Sequence, residues 1–245
     1  MPIDTRKIYP LSEYSFVERE SQPEEDNSVN TRLHRLEEQY SETGVRRSVE
    51  AIMLVTVHGF PHILVLQVAN AFYKLPGGYL DPLESDSAGL ITKLNEQLGV
   101  PFTTNLTQDS KFSEAKSITV HPFGGKEFRK NGDGNLWVSP PTGDWKVGDL
   151  LSTWWRPKYD NFLYPYIPAQ NVYPKECKKL YHVELPPNKT FAVPVNMKLH
   201  AIPIYEFYDN ASRYGPQFAG IPFILSRYDI FEHLTKGVEE QNGKE

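Results

Sequence analysis

The chain has 245 residues, of which 39% are hydrophobic and 13% aromatic, enough for one well-cored domain carrying an extension or an insertion. With a net charge of −5 and no polybasic run, a broad phosphate-tracking surface is not expected, and no apolar run approaches the roughly 20 residues of a membrane span. The single cysteine, Cys177, excludes an internal disulfide framework and a multi-cysteine zinc site, and reads as a buried, inert thiol.

The opening stretch MPIDTRKIYPLSEYSF has no apolar run of signal-peptide type, so an intracellular setting is expected. The glycosylation-pattern matches at Asn105, Asn188 and Asn210 are then chance matches. Residues 1–27 are polar and read as irregular. Ser28 is an N-cap candidate for a helix in which Val29, Leu33, Leu36 and Tyr40 recur at helical spacing, and Gly44 ends it. VEAIMLVTV (49–57) and HILVLQV (62–68), joined by His58-Gly59-Phe60-Pro61, read as a β-hairpin. The segment AFYKLPGGYLDPLESDSAGLITKLNEQLGV follows. It is a Gly-Gly turn, an acidic loop, and a helix over about 86–98 with an apolar face of Ala88, Leu90, Ile91, Leu94 and Leu98, closed by Gly99 as its C′ residue.

Residues 101–150, with six glycines and alternating charges, read as a long insertion, and the core resumes at LLSTWWRPKY. KKLYHVEL (178–185) is a strand, and FAVPVNMKLHAIPIYEFYDN carries further strand signals. A last helix is expected over IPFILSRYDIFEHL (221–234), with Pro222 in its first turn. Interleaved strands and helices give an α/β class with a mixed sheet. The organisation is an N-terminal extension and helix (1–44), a main domain (45–231) and a solvated tail (232–245).

The Gly-Gly turn, acidic loop and helix resemble the Nudix box. In that motif glutamates one turn apart hold divalent metals, which neutralise a pyrophosphate and activate a water. With Gly78 as the motif's first glycine, Glu84, Leu94, Gly99 and Val100 fit. Thr92 stands at the Arg position, Lys93 at the following Glu, and Glu96-Gln97 at the final Glu pair. The scaffold positions match and the metal-binding positions mostly do not. This implies a Nudix fold, an α/β/α sandwich with a mixed β-sheet, whose hydrolase centre is dead, with no catalytic residues, no metal and no cofactor.

Over residues 9–231 the chain resembles the small Nudix subunit of pre-mRNA cleavage factor Im. The matching stretches include YPLSEYSF, GVRRSVEAIMLV, PHILVLQVANAFYKLPGGYLDP, WWRPKYDNFLYPYIPAQNVYPKECKKLYHVEL, FAVPVNMKL and YEFYDNASRYGPQFAGIPFILSRYDIF, in order, with 101–150 as the departure. The resemblance implies a catalytically inactive nuclear protein that binds single-stranded RNA at UGUA elements in 3′-end cleavage and polyadenylation. It also implies a homodimer, and a larger RRM-bearing subunit as partner. Mapped onto this chain, a base stacks on Phe72, an arrangement worth about 1–3 kcal/mol per base. Tyr73 supplies backbone contacts, Glu50 accepts hydrogen bonds from a base edge, and Arg32 offers a planar fork. Glu24 is the acidic residue before the first helix, Leu75 lines the pocket, and Tyr214-Gly215 pack against the RNA from a loop. Ala71 lacks a hydroxyl for any contact there. By themselves these residues also read as core, sheet-edge or solvated-helix positions. The alternative function is a Nudix hydrolase of dinucleoside polyphosphates with a metal site rebuilt on Glu84 and Glu96.

Overall fold

A computed structural model of the chain describes residues 6–23, 26, 28–100, 145–160, 162–169 and 173–230. A 3-10 turn at Leu11–Glu13 leads into β1 (Ser15–Arg19), which pairs in parallel with β8 (Thr190–Pro194). This corrects the reading of 1–27 as irregular. The strand is held by a distant partner, with Phe16 stacked on Phe191 at 5.5 Å, and no local alternation announces it. Helix α1 (Val29–Thr43) starts as expected, the Ser28 side chain accepting from the Thr31 N–H at 3.1 Å. It ends at Gly44, whose φ of 77° is a conformation that favours glycine.

Strands β2 (Arg46–Val57) and β3 (Phe60–Val68) form the expected hairpin. Its turn places His58 and Gly59 at φ 50° and 77°, the mirror-image geometry that matches strand twist. A second such turn, Ala69 and Asn70 at φ 52° and 55°, joins β3 to β4 (Phe72–Lys74). Strand β5 (Gly77–Tyr79) pairs with β2, and α2 (Asp86–Leu98) follows, capped by the Ser85 hydroxyl. Gly99 ends α2 at φ −74°, not in the left-handed conformation a C′ glycine commonly uses. Glycine is needed there for room, since a Cβ would lie 2.6 Å from the Asn95 carbonyl oxygen.

Residues 101–144 of the expected insertion lie outside the described residues. Strand β6 (Lys146–Arg156) already includes Lys146–Leu150, and Trp145 before it is buried. Both ends of the excursion are tied to one residue. Arg19 donates to the carbonyls of Asn95 (3.4 Å) and Gly99 (3.1 Å), and the Trp145 indole donates to the Asn95 side chain at 2.7 Å.

Among the described residues, strands β7 (Glu176–Glu184) and β9 (Met197–Pro203) complete a seven-strand sheet of order β4-β3-β2-β7-β6, with β5 added on β2 and β9 on β3. The β2–β7 pair is parallel and its neighbours antiparallel, so the sheet is mixed. After Pro203 the backbone leaves the sheet through four short helices, α3 (Ile204–Phe207), α4 (Ala211–Tyr214), α5 (Pro216–Ala219) and α6 (Ile221–Leu225). The helix expected over 221–234 therefore ends at Leu225. Arg227 donates to the Leu151 carbonyl and Arg6 lies over the Tyr228 ring, holding the chain against β6 instead; residues 231–245 lie outside the described ones.

Central strand β2 is buried on both faces, as parallel pairing demands. Val49, Ala51, Met53 and Val55 pack with Leu90, Leu94 and Leu98 of α2 on one side. Ile52 and Leu54 pack with Phe207, Phe218, Ile221 and Leu225 of α3, α5 and α6 on the other. The result is an α/β/α sandwich with helices on both faces.

Candidate functional site

The Nudix-like positions are occupied by internal pairs. Gln97 is 5% exposed. Its amide donates to the Gly77 carbonyl at 2.6 Å and accepts from the Gly77 N–H at 2.9 Å. Gly77 has φ 142°, and a Cβ there would lie 2.1 Å from the Val49 carbonyl oxygen, so the turn is pressed onto β2. The Lys93 ammonium pairs with Glu96 at 2.9 Å, and its methylenes cover Gly78. Thr92 bonds back to the Ala88 carbonyl, and Glu84 accepts from the Asp81 N–H at 3.4 Å. This donor set does not fit a divalent cation. A lysine nitrogen takes one carboxylate and a neutral amide spends both its groups on backbone. Among the described residues no three His, Cys, Asp or Glu side chains gather as a metal site.

Beside this turn, the other face of the sheet carries most of the predicted site. Glu50 lies in the β2 alternation on the Ile52 side and is 9% exposed. It is not a solvated sheet-edge charge. Its Oε1 accepts from Lys178 Nζ and its Oε2 from Gln217 Nε2, each at 2.5 Å. One step along, Glu176 accepts from the Ser48 hydroxyl at 2.6 Å and from Arg156 at 2.8 Å. Burial pushes the Glu176 carboxyl up, and the charges of Lys178 and Arg156 with these bonds outweigh it and hold it low. Burial likewise works against the Lys178 cation, and Glu50 and Glu176 outweigh it, holding its pKa up. The Lys74 pKa is lowered, chiefly by desolvation, with Glu50 opposing and Lys178 adding to the shift.

Phe72 opens β4 directly after its tight turn and is 72% exposed. Its neighbour Tyr73 turns inward, 4.9 Å from the Tyr214 ring. Tyr214 was expected in a loop with its ring exposed. It ends α4 and is buried, packed on Phe207 and Phe218, with its hydroxyl donating to Glu206 at 2.5 Å. Burial and that carboxylate push the hydroxyl's pKa up. Leu75, expected to line a pocket, is in the core beneath. Gly215 follows Tyr214 at φ 93° with open space where a Cβ would stand. The fold thus brings Glu50, Tyr73, Leu75, Tyr214 and Gly215 to one side of the sheet with Phe72 at the rim. Arg32 is exposed on α1, and among the described residues no hydrogen bond or ion pair joins it to that group. Glu24 lies outside the described residues. Lys178 and Gln217 went unnoticed in the sequence. Lys178 sits two positions before Leu180, the register partner of Glu50, but nothing local marks Gln217.

Cys177 is buried, and burial pushes its thiol up, consistent with an inert role. Among the described residues no helix is long and apolar enough to cross a membrane.

A Nudix family model described as nucleotide hydrolase matches residues 4–228. The chain is 43% identical over 220 residues to pre-mRNA cleavage factor Im 25 kDa subunit 2 of Arabidopsis thaliana, covering 90% of this chain and 92% of that one. It is 38% identical over 231 residues to cleavage and polyadenylation specificity factor subunit 5 of Dictyostelium discoideum, covering 93% and 96%. Among solved structures, an Ap4A hydrolase from C. elegans aligns with a TM-score of 0.37 at 13% identity, over 74% of this chain and 96% of that one. The chain belongs to the Nudix family and, within it, to the cleavage factor Im 25 kDa subunits.

Proposed function

We propose that this protein is an RNA-binding subunit of the nuclear pre-mRNA 3′-end cleavage and polyadenylation machinery, recognising UGUA elements without nucleotide hydrolysis. The observation that carries the reading is the pairing of an exposed ring with a held carboxylate. Phe72 stands 72% exposed at the rim, and Glu50 is fixed by two donors on the same side of the sheet as Tyr73. A ring offers stacking to any base, and a fixed acceptor adds a hydrogen bond to a base edge. Such a site suits a chain of net charge −5, because its affinity does not depend on a phosphate-binding surface. Arg32 approaches the same RNA from the α1 side and Glu24 contacts it as well, Gly215 presents backbone to it, and Leu75 and Tyr214 support the site from below. The protein works as a homodimer that docks a larger, RRM-bearing subunit; its relatives are named as subunits of cleavage and polyadenylation factors, which supports a place in a larger assembly. Loss of hydrolysis follows from the Lys93–Glu96 pair and the Gln97 amide, which take the places of metal ligands.

Fluorescence anisotropy with UGUA RNA and a scrambled control, with and without magnesium, tests the reading. UGUA binds more tightly, magnesium changes nothing, and Phe72→Ala costs roughly 5- to 150-fold, the loss of about 1–3 kcal/mol of stacking. Equal binding of both RNAs overturns it. So does magnesium-dependent turnover of a dinucleoside polyphosphate that Glu96→Gln abolishes.

A further inference from the structure

We propose that Gln217 is a specificity-determining residue of the RNA site, reading one base edge jointly with Glu50; this rests on the RNA-binding function proposed above. The two residues are far apart in the chain and meet because α5, entered through Gly215 and Pro216, lays Gln217 against β2. Gln217 is itself buried, and its Nε2 donates to Glu50 Oε2 at 2.5 Å while Lys178 takes Oε1 at the same distance.

Each contact does something different. Lys178 supplies the counter-charge that lets a carboxylate stay in a site this buried. Gln217 carries no charge, so its contribution is geometric. With donors on both oxygens the carboxylate plane is fixed. With Lys178 alone the group could pivot about that single bond and present an oxygen to differently placed donors.

A free carboxylate discriminates poorly, because every base carries at least one N–H that it can accept. The amide adds a second group to the pattern. The second hydrogen on Nε2 is a donor beside the acceptor, and Oε1 takes no hydrogen bond from any described residue. A fixed acceptor with an amide next to it matches a base edge in two places, and mismatched edges leave one of these buried groups unpaired. That penalty is where discrimination comes from.

The test measures affinities of the full chain for UGUA RNA and for RNAs carrying each single-base substitution. The proteins are the wild type, Gln217→Met, Gln217→Asn, Glu50→Gln and the Gln217→Met/Glu50→Gln double variant. Thermal unfolding checks that each is folded, and Gln217→Asn keeps an amide while shortening its reach. Gln217→Met and Gln217→Asn are expected to lose about tenfold of discrimination at one position of the element. Glu50→Gln loses it at that same position, and the double variant loses no more than Glu50→Gln alone. A Gln217 variant that weakens every RNA by one common factor marks a purely structural role and overturns the proposal. Flattening at a position different from that of Glu50→Gln, or unchanged discrimination, also overturns it. Absence of any UGUA preference in the wild type is a separate result, and it removes the RNA-binding function itself.

Discussion

Restoring the Nudix glutamate at position 97 should damage this protein, not revive it. In the wild type the Gln97 amide makes a two-way clasp with Gly77, donating to its carbonyl at 2.6 Å and accepting from its N–H at 2.9 Å. In Gln97→Glu the ionised carboxylate still accepts from the N–H, but it faces the Gly77 carbonyl with an oxygen that has nothing to donate. A buried acceptor left without its donor costs about 1–3 kcal/mol. The position is 5% exposed, so burying the new charge adds to that. Destabilisation of about 2–4 kcal/mol at pH 7.5 is expected. The pH dependence carries the sign. Burial raises the introduced carboxyl's pKa above its unfolded value of about 4.3, and once protonated its O–H donates to Gly77 and restores the clasp. The deficit against wild type is therefore small below about pH 4 and grows as pH rises through the folded pKa. Urea unfolding of both proteins at pH 4 and pH 7.5 measures it. A variant within about 0.5 kcal/mol of wild type at pH 7.5 refutes the reasoning. So does recovery of the loss by millimolar magnesium, because it would mean that the carboxylate had found a metal.

Three further outcomes follow from the packing. Burial pushes the Asp86 carboxyl up, but bonds from Lys179, Arg47 and Tyr181 outweigh it and hold it at about 2. Its stabilisation is present above about pH 4 and is lost as pH falls toward 2, and Asp86→Asn should cost about 1 kcal/mol at pH 7 after solvent screening, read by urea midpoint; an unchanged midpoint contradicts the network. Leu94→Ala empties a fully buried site against β2 and should cost about 2–5 kcal/mol in the same assay. Gly77→Ala meets both a φ of 142° and the Val49 carbonyl, and should destabilise by more than about 1 kcal/mol, seen as a lowered melting temperature.

What the sequence disclosed depended on how local the cause was. The caps of α1, the β2–β3 hairpin and the apolar face of α2 are decided within a few residues, and each was legible, although the hairpin's turn is two residues, His58-Gly59, where four were read. Strand β1 was not, because SFVER owes its conformation to β8 and to Phe191. Tyr214 looked like a loop aromatic because RYGP gives no hint of Tyr73, Phe207 and Phe218 closing over it. Glu50 and Phe72 could be singled out by resemblance. Their environments could not, since Lys178 and Gln217 reach Glu50 from β7 and α5 by long-range contact.

The stitches at Asn95 bear on how such a chain can change over time. Arg19 and Trp145 fix the last described residues before position 101 and the first after position 144 to the same helix end. Between two fixed points, halving or doubling the length of chain alters the closure cost by only about 0.6 kcal/mol. Segments of very different length could therefore be exchanged between Val100 and Trp145, each tried for a new task, while the folded sheet and the side that carries Glu50 and Phe72 keep their stability.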